Sequence, residues 1–238
     1  MNVDARTTGA ACLGILMVKL VTSGGYRAYV RPRMGVLLLL AGSSLVMVAA
    51  AALLSPLVRP RDGHEYRTGP GLDLLVLVPT VLMAVMPPVP LGAAAAAMRP
   101  GALRAPKTSV FPPLPQRVSG AVPLTVSDFV GRALYDAGGS LKGIRVRLVG
   151  LVAPEPGGFL LVRFAMFCCA ADAIPMRVHI RGARPPPPAE DSWVEVTGTW
   201  RPAPVRPAIR FDPSMMPTLD AVTVRPTAEP PDPYDPPF

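Results

Sequence analysis

Charge is missing from two long stretches in the first hundred residues. Residues 34–58 hold no Asp, Glu, Lys or Arg, and 36–54 are rich in Leu, Val and Ala. A bilayer core of about 30 Å is crossed by about 20 apolar residues in a helix, so 34–58 reads as a membrane span. Residues 74–98 are equally free of charge, but Pro79, Pro87, Pro88 and Pro90 interrupt them. This predicts a kinked or partly unwound second helix, of the kind that marks a functional site in some transporters and is a plain kink in others. A third apolar segment, 8–22, is shorter and contains Lys19. It runs through Ser23-Gly24-Gly25 into Tyr26-Arg27-Ala28-Tyr29-Val30-Arg31 and Arg33. That is an interfacial belt of aromatic and basic residues rather than a signal-peptide cleavage site. The expectation is about three spans within residues 1–99, in a multi-pass protein of the cell membrane. Lys19 then either snorkels to the headgroups or contacts a partner inside the membrane.

The pattern changes after Arg99. Residues 100–123 carry Pro100, Pro106, Pro112, Pro113, Pro115 and Pro123 and suit an extended spacer. Residues 226–238 are similarly proline-rich and read as an extended strap or a disordered tail. Between them, 124–225 have the periodicities of a soluble domain. Ser127-Asp128 reads as a helix start, Phe129, Val130, Ala133 and Leu134 share one helical face, and Gly138-Gly139 stops the helix. Alternation then predicts strands: Ile144, Val146 and Leu148 between Arg145 and Arg147; 159–168, with Leu160, Val162, Phe164, Met166 and Cys168 on one face; and Met176, Val178 and Ile180 between Arg177, His179 and Arg181. Further strands fall at 193–200 and 219–224. One helix, about five short strands and glycine bends at Gly150 and Gly198 predict a mainly-β domain, a small OB-like barrel.

Composition supports two solvents. Half of the 238 residues are hydrophobic and 17% are charged, against about 25% charged in an ordinary soluble domain. The net charge of +8 is read as juxtamembrane Arg and Lys meeting anionic headgroups. Outward Arg145, Arg147, Arg177 and Arg181 offer a basic face, but no aromatic stacking platform accompanies it, so no nucleic-acid partner is expected.

The most unusual run is Phe167-Cys168-Cys169-Ala170-Ala171-Asp172-Ala173. In a strand the adjacent cysteines would face opposite ways and could not share an ion. In a helical turn Cys168, Cys169 and Asp172 fall on one face, and two thiolates with a carboxylate suit a soft ion such as zinc, although a closed site takes four ligands. The alternative makes Cys168 a buried small hydrophobe and Asp172 a cap. The two histidines, His64 and His179, lie in different parts of the chain. There is no nucleophile–base pair, phosphate-binding glycine loop or zinc-protease helix, so no enzyme is expected.

Several of these residues together resemble the YcgQ-like family of bacterial membrane proteins. They are Tyr29-Val30-Arg31-Pro32 with Met34, Pro87-Pro88 with Leu91-Gly92, Asp128-Phe129 with Arg132-Ala133, the Cys168–Ala173 run, and Trp193-Val194-Glu195-Val196-Thr197-Gly198-Thr199-Trp200. The resemblance implies an accessory subunit of a permease, working with a larger multi-span partner of the YcgR type. Some relatives carry a His-rich stretch between the spans that correspond to 34–58 and 74–98. Here residues 59–73 have only His64, which weakens a metal-collecting role for that loop. The alternative function is a membrane-anchored module that binds a metal ion or small ligand.

Overall fold

The computed structural model describes residues 5–54, 70–99, 111–115, 120–136, 138–182, 188–202 and 216–237. Most of the expected spacer at 100–123, and His64, lie outside them. The chain divides into two compact units, Met1–Pro90 and Leu91–Phe238.

The first unit is helical: α1 (Ala5–Ser23), a 3-10 turn (Gly25–Ala28), a second 3-10 turn (Pro32–Met34), α2 (Gly35–Leu54) and α3 (Pro70–Val85). Pro32–Leu54 is long and apolar enough to cross a membrane, and it is the one such helix among the described residues. The apolar part of α1, Thr7–Ser23, falls short of that length. α1 packs along α2, where a Cβ on Gly14 would stand 2.7 Å from the Gly42 carbonyl oxygen. Side chains larger than hydrogen would push the helices apart. The rest of α2 shows Val36, Leu37, Leu40, Met47 and Val48 to the outside, as a lipid-facing helix does.

The expected span at 74–98 is not one helix. α3 tolerates Pro79 and stops at Val85, and Pro87, Pro88 and Pro90 then hold the chain extended, because each removes a backbone donor and clashes with the preceding turn. The short α4 (Ala93–Met98) belongs to the second unit. The unit boundary therefore falls at Pro90/Leu91, before the expected end of the membrane part at residue 99. Hydropathy misplaced it because Ala93 and Ala96 are buried against protein, which an apolar count does not separate from burial in lipid.

The second unit adds β1 (Val122–Pro123), α5 (Val126–Tyr135), β2 (Arg145–Glu155), β3 (Gly158–Ala165), β4 (Ile174–Arg181), β5 (Trp193–Arg201), β6 (Thr218–Pro226) and β7 (Tyr234–Asp235). They form one mixed sheet of seven strands in the order β1-β2-β5-β6-β4-β3-β7. β2 also pairs with β3, so the run β2-β5-β6-β4-β3 returns on itself; β4 and β6 are parallel and its other pairs antiparallel. β1 and β7 add in parallel at β2 and β3. The expected glycine bends are present. β2 passes from β5 to β3 next to Gly150, and the β5–β6 register shifts at Thr197/Gly198, where a Cβ on Gly198 would meet the Asp220 carbonyl oxygen at 2.3 Å.

α5 starts two residues earlier than the Ser127 signal. Thr125 is the cap, its hydroxyl accepting from the Asp128 N–H at 3.0 Å. Phe129, Val130 and Ala133 then fall inside the main core with Val146, Leu148, Leu161, Val178 and Val196. Burying a Phe129-sized side chain is worth about 2–3 kcal/mol. A second core lies under α4, where Ala93 and Ala96 meet Val162, Phe164, Met166 and Tyr234. Both faces of β3 are thus covered, one by each core. Part of the expected spacer is ordered as well: the Pro112 carbonyl accepts from Arg132 at 2.9 Å, and the Phe111 ring lies under the same guanidinium.

Candidate metal centre

β3 ends at Ala165, so Cys168 is not in a strand as the alternation suggested. The backbone turns instead into a 3-10 helix, Ala170–Asp172, with Cys169 as its N-cap. Asp172 sits at the third position and reaches back. Its Oδ1 accepts from the Phe167 N–H at 2.9 Å, and its Oδ2 from the N–H groups of Cys168 at 2.8 Å and Cys169 at 3.3 Å. The Cys169 sulfur accepts in return from the Asp172 N–H. This is a capping box with a thiol in the place usually taken by Ser or Thr.

One consequence is that adjacent cysteines point the same way. The two Sγ atoms are 3.6 Å apart, and one donor atom from each of Cys168, Cys169 and Asp172 lies within 4.8 Å of the others. Two thiolates on a tetrahedral zinc, at about 2.3 Å each, stand roughly 3.8 Å apart. The sulfur pair therefore needs almost no adjustment to hold such an ion. Cys168 is exposed and Cys169 half-buried, which overturns the alternative of Cys168 as a buried hydrophobe. The capping role foreseen for Asp172 is present alongside the ligand geometry.

The electrostatics set Cys168 and Asp172 in opposite directions. Hydrogen bonding to Asp172, followed by that to Cys169, pushes the Cys168 thiol up to about 11. Burial pulls the Asp172 carboxyl upward, but bonds from the Cys168 thiol and three backbone N–H groups outweigh it and hold the group below the usual carboxylate range. At neutral pH the Cys168 thiol carries its proton, and an incoming cation must displace it.

Arg99 fixes the turn in place. Its Nη1 donates to the carbonyls of Ala170 at 2.8 Å and Ala173 at 3.0 Å. Arg177 in turn donates to the Ala96 carbonyl and, at 2.6 Å, to that of Arg99; burial lowers its pKa. Sequence reasoning missed both roles. Arg99 followed an apolar run and looked like a headgroup contact, and Arg177 looked like part of an outward basic face. Arg147, from the same expected face, lies 3.7 Å from Glu195. His179 is half-buried, with Nδ1 2.6 Å from Glu155 Oε2. It stands five residues beyond Ile174 at the start of β4, about 17 Å along the strand, and cannot complete the cysteine cluster. Lys19 is exposed on α1, and among the described residues no carboxylate pairs with it.

The molecule is thus a set of apolar helices followed by a mixed β domain, with a thiol–carboxylate turn at the end of one strand. Residues 129–235 match the DUF1980 C-terminal domain, an uncharacterised family. The match opens inside α5 and closes in β7, so it includes the whole cysteine turn and strands β2 to β7. No curated protein matches the chain.

Proposed function

We propose that the chain is a membrane-anchored binding module whose C-terminal domain takes a soft divalent cation, zinc being the natural candidate, at Cys168, Cys169 and Asp172. The observation that carries this is the 3.6 Å sulfur pair facing a carboxylate on an exposed turn. Three protein donors leave a position for water or for a group from another molecule, which suits an exchangeable ion better than a permanent structural one. The pairing order of β2 to β6 supports an OB-type barrel as the scaffold, with the turn joining its second and third strands. Cobalt titration of the full chain in detergent tests the reading. We expect thiolate-to-cobalt absorption saturating near one ion per chain, competed by zinc, weakened at lower pH and abolished in Cys168→Ser. Absorption that never appears, or that survives Cys168→Ser and Cys169→Ser together, rejects it.

A second reading places this module beside a larger multi-span permease of the YcgR type, as its accessory subunit. It is supported by the resemblance of the chain to YcgQ-like proteins and by Lys19, an exposed ammonium on an apolar helix. In this reading α1 and α3 complete three spans, and Lys19 meets a carboxylate of the partner. Affinity purification from native membranes in mild detergent then yields a large multi-span protein in near-equal amount, lost or reduced in Lys19→Leu. Recovery of the chain alone speaks against the subunit role and leaves the metal-binding reading standing.

A further inference from the structure

The two 3-10 turns between α1 and α2 do more than reverse the chain. Tyr26 is buried, and its hydroxyl donates to the Pro32 carbonyl at 3.2 Å. Its ring packs so closely on Gly35 that a Cβ there would stand 2.8 Å from it. The Arg27 guanidinium lies over the same ring at 6.0 Å. These contacts hold open a cleft of about 420 Å³ between the last turn of α1 and the first turns of α2.

The lining of this cleft is of two kinds. Thr22, Ser23, Gly24 and Arg27 come from the end of α1 and the connection that follows it; Val21, Val36 and Leu39 come from the helices themselves. Val36 and Leu39 are three apart on α2 and share a face, and both are exposed. Arg31 and Arg33 add two further cations in the same connection. α2 has 20 residues, about 30 Å of helix, so when it lies across a bilayer its first turn sits at the headgroup boundary. A cavity that joins a cation of the connection to apolar side chains of the membrane-length helix is complementary to an anionic amphiphile.

We infer that this cleft is a binding site for one anionic phospholipid, the headgroup phosphate at Arg27, Thr22 and Ser23, the acyl chain against Val21, Val36 and Leu39. The inference rests on α2 spanning the membrane and not on the metal or permease readings. A free phosphate satisfies the polar residues but leaves the apolar ones uncovered, so the two sources are separable.

The test is native mass spectrometry of the full chain released from nanodiscs of phosphatidylcholine with or without phosphatidylglycerol. We expect one phosphatidylglycerol retained per chain in preference to phosphatidylcholine, resistant to inorganic phosphate. Retention falls about fivefold in Arg27→Gln, the loss of one basic group at a membrane surface, and is largely kept in Arg27→Lys. Leu39→Asn, in the apolar lining of the cleft, also loses the lipid, while Lys142→Gln in the second unit keeps it. Circular dichroism verifies that the variants remain helical. Equal retention of both lipids, unchanged retention in Arg27→Gln, or displacement of the lipid by inorganic phosphate overturns the assignment.

Discussion

Asp172 carries two duties that pull against each other. Its carboxylate collects three backbone N–H groups and so shapes the turn. The same carboxylate, hydrogen-bonded to the Cys168 thiol and negatively charged beside it, discourages the thiolate. A free cysteine reacts through its thiolate, so a thiol held protonated by its neighbours is a poor nucleophile although it is exposed. Asp172→Asn removes the charge and keeps one acceptor oxygen, enough for the Cys168 and Cys169 N–H groups that now share Oδ2. In a Cys169→Ser background, which leaves Cys168 as the one thiol of the turn, the pH midpoint of iodoacetamide alkylation is expected to fall toward the ordinary cysteine range when Asp172→Asn is added. Each unit of fall raises the alkylation rate at pH 8 about three- to fourfold, because the tenfold rise in thiolate fraction is partly offset by lower nucleophilicity. An unchanged midpoint would mean that the carboxylate does not govern the thiol.

The elements themselves differ in how much of them the sequence displays. β5 and the first half of β2 alternate cleanly, Val146 and Leu148 inside with Arg145 and Arg147 outside, because there one face meets the main core and the other is open to water. β3 has no such alternation to read: Phe159 and Leu161 face one core while Val162 and Phe164 face another, so its true end at Ala165 is hidden in a longer apolar run. The site shares this ambiguity. Spacing alone admitted both an extended and a helical Cys168-Cys169, and the choice was made by Asp172, whose back-bonding to three N–H groups is a tertiary-scale fact only in that it needs the strand to have stopped. In the first unit, uncharged length reveals α2, and the prolines foretell the break after Val85. What hydropathy cannot show is that Ala93 and Ala96 pack on Val162 and Met166 instead of lipid, or that Arg99 ties α4 to the cysteine turn.

At the scale of the whole C-terminal unit, one buried ion pair fastens the proline-rich end of the chain over the sheet. Asp235, in β7, accepts from Arg163 Nε at 3.1 Å and from the Ser127 N–H at 3.0 Å. It therefore joins the last strand to β3 and to the start of α5. Arg163 also donates to the Asp232 carbonyl at 3.0 Å and lies over the Trp193 ring, while its Nη1 has no hydrogen-bond partner among the described residues. Burial raises the pKa of Asp235, and the attraction of Arg163 and the N–H bonds do not cancel that rise. The folded state then holds a proton on Asp235 more tightly than the unfolded chain does. The contribution of this group is fully present below the unfolded carboxylate pKa and is lost as pH rises through the folded value. Asp172, with its lowered pKa, has the opposite sense: its contribution is present above the unfolded pKa and is lost as pH falls toward the folded value. The two tryptophans, Trp193 and Trp200, both lie in β5, so their fluorescence reports unfolding of this unit in the full-length protein. Asp235→Ala leaves a buried guanidinium without its counter-ion and is expected to cost about 3–5 kcal/mol. Asp235→Asn costs less, and removes the part of the pH dependence in which stability declines above the acid range. A urea midpoint that keeps that decline in Asp235→Asn would assign it to another group, and an Asp235→Ala variant as stable as the parent would show that the strap is held by the apolar contacts of Tyr234 rather than by the ion pair.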